Sequence, residues 1–298
     1  MSEPVILTLA AAHGLSADDI ALAQDAVTRA GGIVTAETAF DPPYATDLIL
    51  RGITSAVARE AVEAVATGFD CIAQTAGPDR VKRLLVADMD STMIGQECID
   101  ELADFAGKKP EIAAITEAAM RGELDFGAAL DARVAALAGL ADTAITRCLD
   151  ERIVLTSGAR TLVQTMRAHG ARTVLISGGF TRFTGPIAER IGFDHQVANR
   201  LLVANGALTG TVEKPIVDSS VKRATLIAER EQLSLPHSAT LAVGDGANDI
   251  PMLEEAGLGI AYHAKPKAAA AADAAVRVGD LTILLWAQGI ARRDWRTE

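Results

Sequence analysis

The apolar run Leu84-Leu85-Val86-Ala87 stops abruptly at Asp88-Met89-Asp90-Ser91-Thr92, so two carboxylates two residues apart emerge where a buried strand ends. Short apolar runs bounded by turn residues read as strands covered on both faces. With the first strand at residues 83–87, three more are expected at 172–176, 239–243 and 258–261. Most of the sequence between them is helical in character, which is the spacing of a parallel α/β sheet. Ligands of such a sheet collect beyond the carboxyl ends of its strands. Asp88 and Asp90 therefore stand at a catalytic edge, where concentrated negative charge needs a cation.

At 298 residues the chain is long for one compact core, and its length favours two units. A net charge of −11 and a pI near 5.0 argue against nucleic acid as a partner, because that affinity comes mostly from clustered Lys and Arg. A small anionic substrate needs only local positive charge. Hydrophobic residues make up 49% of the chain but aromatics only 4%, so closely packed helices are expected rather than a core of large rings. Cys71, Cys98 and Cys148 are odd in number and lack C-x-x-C spacing, which fits a reducing compartment and neither a disulfide framework nor a zinc site. The opening Met1-Ser2-Glu3-Pro4 has no basic leader, and no run of roughly 18 apolar residues occurs. No membrane association and a cytoplasmic location are the expectation.

Residues 1–78 read as a small α+β unit in the order β-α-β-β-α-β, the ferredoxin-like split pattern. Ser16 with Asp19 forms a capping-box pattern and Thr54 caps a second helix. This end of the chain is the more acidic, with 11 acidic and 4 basic residues among the first 80. Ala76-Gly77-Pro78-Asp79 marks the boundary, and residues 79–298 form the second unit. Residues 95–155 are helical throughout, too long for an ordinary crossover, and read as an inserted cap over the strand ends. Residues 196–203 and 207–212 read as a hairpin turning at Asn205-Gly206.

Four pieces carry chemistry. In Asp88-x-Asp90 the first carboxylate can attack an electrophile and the second can shuttle a proton, though paired aspartates also make turns and caps. Ser177-Gly178-Gly179 follows a strand and offers a hydroxyl and closely approaching amides to a phosphate; a plain glycine turn is the rival reading. Gly244-Asp245-Gly246-Ala247-Asn248-Asp249 adds two carboxylates, which would repel Asp88 unless a hard divalent cation joined them. All-oxygen, histidine-free ligation suits Mg²⁺. Asp249 would otherwise be an Asx cap for the helix carrying Met252 and Leu253. The fourth piece is a lysine, Lys222 or Lys214, since the other three supply no fixed positive side chain for a transferring phosphoryl group.

Taken in chain order, Asp88-Met89-Asp90-Ser91-Thr92, Ser177-Gly178-Gly179, Lys222 and Gly244-Asp245-Gly246-Ala247-Asn248-Asp249 resemble the four motifs of haloacid dehalogenase-like phosphatases, over about residues 81–290. The resemblance implies a Rossmann-like three-layer α/β core with a parallel sheet and an inserted helical cap, and its spacing to Asp245 favours Lys222 over Lys214. Within that superfamily the chain is most similar to the phosphoserine phosphatases. The residues that carry this are Glu97, which closes the extended first motif, the cap segment Met120-Arg121-Gly122-Glu123-Leu124-Asp125-Phe126, and Arg133.

That similarity implies hydrolysis of O-phospho-L-serine, the last step of L-serine biosynthesis, with phosphohomoserine or another small phosphomonoester as the alternative substrate. Asp88 would be the nucleophile and Asp90 the general acid and base. Mg²⁺ would be held by Asp88, the main-chain carbonyl of Asp90, and Asp245, with Asp249 in support. Ser177, Gly178 and Lys222 would hold the phosphate and Asn248 would touch substrate. Glu97 would take the ammonium and Arg133 the carboxylate, between apolar walls from Met120 and Phe126. The first unit resembles ACT-type modules, which implies a homodimer and an L-serine effector, although His13-Gly14 and Gly31-Gly32 stand where a glycine-rich ligand loop is wanted.

Overall fold

The computed structural model describes residues 3–120 and 123–297, without the side chains of Ala119 and Met120. The first unit runs β1 (Val5–Ala10), α1 (Ala17–Arg29), β2 (Ile33–Asp41), β3 (Ala45–Arg51), α2 (Ser55–Glu63) and β4 (Asp70–Thr75). Its strands make an antiparallel sheet in the order β2-β3-β1-β4. Both helix starts behave as their residues dictate. The Ser16 hydroxyl accepts from the Asp19 N–H at 3.1 Å while Asp19 accepts from the Ser16 N–H at 2.9 Å, and the Thr54 hydroxyl accepts from the Val57 N–H. All of β1 is buried because Leu7 and Leu9 pack with the helices while Ala10 joins the core of the second unit.

The second unit begins with β5 (Leu84–Ala87), a π-helical turn (Met89–Met93), and the cap helices α3 (Cys98–Phe105), α4 (Lys109–Met120), α5 (Phe126–Ala136) and α6 (Thr143–Glu151). It continues through α7 (Ala159–Ala168), β6 (Arg172–Phe180), α8 (Thr181–Ile191), β7 (His195–Asn199), β8 (Leu201–Ala204), β9 (Ala207–Val212) and α9 (Ser219–Gln232). The chain closes with β10 (Thr240–Gly244), α10 (Ile250–Glu255), β11 (Gly259–Tyr262), α11 (Pro266–Ala271), β12 (Ala274–Val276) and α12 (Ile283–Ala287). Six of these strands form one wholly parallel sheet in the order β12-β11-β10-β5-β6-β7. The chain leaves β5 to one side for β6 and returns on the other side for β10. This makes the carboxyl end of β5 a topological switch point, where open α/β sheets bind their ligands.

The expected hairpin is corrected. Residues 195–199 leave it and pair in parallel with β6 as the sheet edge, and only β8 and β9 turn about Asn205-Gly206. Asn199 makes the division, because its side chain donates to the carbonyls of Gly178 and Val217 and accepts from the Val217 N–H at 2.7 Å, so it stays buried at the main sheet. β12 was not expected at all; three alanine-rich residues carry no strand signal of their own.

The two units meet along a polar seam. The buried Asp70 carboxylate accepts from the N–H groups of Arg277, Val278 and Gly279. Asp41 accepts from the Trp286 indole at 2.7 Å and the Arg292 N–H at 2.8 Å. The three cysteines are free and buried. Among the described residues no helix is long and apolar enough to cross a membrane.

Candidate active site

At the end of β5 the Asp88 N–H still bonds to the Val243 carbonyl of β10, so its side chain is launched from a fixed point of the sheet. The chain then reverses through the π-helical turn, in which Ser91 adopts a left-handed φ of +56° that non-glycine residues seldom take. That reversal returns Asp90 to the same crevice. Its carboxylate accepts from the Cys98 N–H at the start of α3, while the Ser91 hydroxyl donates to Glu97 at 2.8 Å.

Across the crevice, β10 ends in Gly244 and the loop that follows folds back on itself. Asp249 accepts from the N–H groups of Asp245 and Gly246 and so caps its own loop. Only glycine fits before it, because a Cβ on Gly244 would lie 2.5 Å from the Asp249 carboxyl carbon. Helix α9, capped by Asp218, sends in Lys222. The lysine ammonium lies 2.6 Å from Asp88 Oδ1 and 2.7 Å from Asp249 Oδ1, with its side chain 1% exposed. Lys214 is elsewhere, in an exposed ion pair with Asp131 of the cap.

Burial pushes the Asp88 carboxyl well above the usual range, with Asp249 reinforcing and Lys222 opposing. Burial and then Glu97 push Asp90 up to about 7, and burial followed by Asp249 brings Asp245 to about 6. Burial works against charge on Lys222 as well, but the two carboxylates it touches more than offset that and hold it cationic. One ammonium is too little for three buried carboxylates. Asp88, Asp245 and Asp249 can each direct an oxygen to a common point, these atoms lying within 4.8 Å of one another. Such a hard, anionic oxygen set fits a divalent metal ion. The Asp90 carboxylate is not one of the three side chains in this group.

A cavity of about 230 Å³ opens above these residues. Ser177 and Gly178 line one side; the Ser177 hydroxyl accepts from the Gly179 N–H at 2.8 Å. A Cβ on Gly179 would crowd Ser177 Oγ at 3.0 Å and Asp90 Oδ2 at 3.2 Å, so glycine leaves these two side chains undisturbed. The cap supplies Glu97, Phe126 and Arg133. Arg133 is tethered to its own helix by a bond from Nε to the Ala129 carbonyl, and burial lowers its affinity for its proton while Asp100 and Glu97 counter this. Asn248 lines the opposite wall. The side chain of Met120 lies outside the described residues. The cavity lining thus brings together Asp88, Asp90, Glu97, Phe126, Arg133, Ser177, Gly178, Asp245 and Asn248, while Lys222 and Asp249 are not part of the lining and are buried against Asp88.

Lys265 also lines the cavity and was not anticipated. The signal was present, because it follows the strand end of β11 just as the other site loops follow theirs.

The sequence pattern of haloacid dehalogenase-like hydrolases matches residues 85–254. The chain is 40% identical over 287 residues to a phosphoserine phosphatase of Streptomyces coelicolor, a match covering 95% of this chain and 70% of that protein. Its fold superposes on a HAD family hydrolase of Salmonella enterica serovar Typhi with a TM-score of 0.80 at 28% identity, covering 95% of this chain and 98% of the other. A phosphoserine phosphatase solved as a phospho-aspartyl intermediate analogue matches with a TM-score of 0.64 at 38% identity, covering 69% of this chain and 98% of the other. The fold and the carboxylate-lined crevice are those of an α/β phosphotransfer hydrolase. The chain belongs to the haloacid dehalogenase-like hydrolases and, within them, to the phosphoserine phosphatases.

Proposed function

We propose that this phosphoserine phosphatase acts on O-phospho-L-serine through Asp88 as nucleophile and Asp90 as general acid and base. The observation that carries this is the pairing at the cavity floor. Asp88 is held by Lys222, and two residues along the chain Asp90, raised to about 7, can carry a proton at neutral pH. In the first step an Asp88 oxygen attacks phosphorus, the bond from phosphorus to the serine oxygen breaks, and the Asp90 proton goes to that oxygen. In the second, Asp90 takes a proton from water as the water oxygen attacks the aspartyl-phosphate, and the Asp88 carboxylate leaves.

Lys222, Ser177 and Gly178 hold the phosphoryl oxygens, and Asn248 contacts substrate from the opposite wall. Glu97 receives the substrate ammonium and Arg133 its carboxylate, with Phe126 and Met120 closing the site against water. Asp88, Asp245, Asp249 and the main-chain carbonyl of Asp90 would hold Mg²⁺. When bound, Mg²⁺ neutralises charge on the clustered carboxylates and the transferring group.

The roles are divided at the seam: residues 1–78 serve regulation and dimerisation, with L-serine as effector and a second copy of the chain as partner, and residues 79–298 do the chemistry in the cytoplasm. Phosphate release from O-phospho-L-serine, phosphohomoserine, phosphothreonine and p-nitrophenyl phosphate, with and without chelator, tests the reading. Preference for a substrate without an α-amino acid end contradicts the Glu97 and Arg133 roles. Calorimetric titration with L-serine giving no heat would dispose of the effector.

A further inference from the structure

The cavity carries an electrostatic difficulty. Asp88, Asp90, Glu97 and Asp245 line it, in a protein of net charge −11; a divalent ion would balance only two of those four charges, yet a phosphomonoester arrives as an anion. Lys222 does not relieve this from outside, because it is buried and engaged by two carboxylates. Among the described residues the lining holds two other cations, Arg133, partly buried beneath the cap, and Lys265. Lys265 is exposed and, among the described residues, its ammonium makes no ion pair or hydrogen bond.

Its position is nonetheless fixed. The Lys265 N–H donates to the Asp245 carbonyl at 3.0 Å. Pro266 opens α11 directly after it, and the preceding His263 is pinned by its ring nitrogen to the Gly279 carbonyl and by its N–H to the Val276 carbonyl. A flexible stem on an anchored backbone keeps one exposed positive charge at the lining of an acidic pocket, near enough to Asp245 to favour its ionised form.

We infer that Lys265 captures the phosphomonoester anion at the mouth of the cavity and hands it inward, setting affinity and association rather than the chemical step. This rests on the phosphatase reading above. Charge lining a cleft raises the local concentration of an oppositely charged substrate, and salt weakens that effect.

The test compares wild type with Lys265→Gln, Lys265→Glu and Lys265→Arg in full-length protein with Mg²⁺, at low and at high ionic strength. Lys265→Gln keeps the backbone N–H, so it removes only the charge. At low salt it is expected to lower kcat/KM for O-phospho-L-serine roughly 3- to 10-fold, with the loss carried by KM. Lys265→Glu should lose more, Lys265→Arg should restore the rate, and high salt should narrow every gap. Calorimetric binding of inorganic phosphate should weaken in parallel, which reads Lys265 without turnover and so separates its failure from failure of the substrate reading. Unchanged kcat/KM and phosphate binding in Lys265→Gln would overturn the inference. So would a loss independent of salt, or one carried by kcat.

Discussion

Lys222 and Asp88, separated by 134 residues, meet through a 2.6 Å ion pair in which neither side chain is more than 5% exposed. The same ammonium bonds Asp249, so one cation orders the first carboxylate after β5 and the last carboxylate of the loop after β10. Removing one partner of a buried pair leaves an uncompensated charge, which typically costs about 3–5 kcal/mol. Lys222→Met is therefore expected to lose turnover by at least about a hundredfold and also to lower the unfolding midpoint. Parallel kinetic and urea-unfolding measurements would read both, and a variant of normal rate would remove Lys222 from the phosphate site.

Asp88→Asn should abolish turnover without unfolding the protein. The amide preserves shape and accepts from Lys222 through its oxygen, and it removes one of the mutually repelling carboxylates. Phosphate release should fall to background while the thermal midpoint holds or rises. A rate near that of wild type would exclude Asp88 as nucleophile.

Removal of divalent metal should silence the enzyme reversibly. Asp88, Asp245 and Asp249 present three buried oxygens to one point, and Asp245→Asn should weaken that site. After EDTA treatment and desalting, activity should return on adding Mg²⁺, and Asp245→Asn should need at least about tenfold more of it. Full activity in chelator would contradict the metal reading.

The seam can be probed at Asp70, which satisfies three amides of the second unit. Asp70→Ala leaves those donors short of a charged acceptor and should destabilise the fold by about 2–4 kcal/mol. Because Asp70 is not among the residues lining the cavity, kcat at low temperature should change little. A loss of activity without a loss of stability would show that the seam communicates with the site.

Lys82 gives a pH signature. It is buried, with its amine donating to the Ser238 carbonyl, and burial lowers its pKa from 10.5 to about 8. Below pH 8 both folded and unfolded states hold the proton, and the desolvation cost is present in full. Between about 8 and 10.5 the native state releases it first, so the unfolded state binds more protons and stability rises with pH. Lys82→Met should gain most over wild type below pH 8, by on the order of 2 kcal/mol, and less as pH rises through that window. Urea unfolding of both proteins at neutral and alkaline pH measures the difference; a gap that widens with pH contradicts the burial argument.

Much of the fold was legible because its signals are local. Apolar runs such as Leu84 to Ala87 and caps such as Ser16 with Asp19 act over a few residues, and both appear where their residues place them. The division at Asn199 was not, because it depends on carbonyls of Gly178 and Val217 that are distant in sequence. Lys265 escaped for a related reason: a lysine before a proline resembles any exposed cap until β11 is seen to end beside β10.

The order of the motifs, their strand ends and the kind of chemistry their side chains permit are properties of the chain itself, since hydrophobic period and turn chemistry operate at short range. Which lysine meets Asp88, which carboxylates can direct oxygens to one point and which cations line the cavity were decided only when the parallel sheet set β5 between β6 and β10. Electrostatic interaction depends on distance and burial, and neither is defined until strands remote in sequence become neighbours.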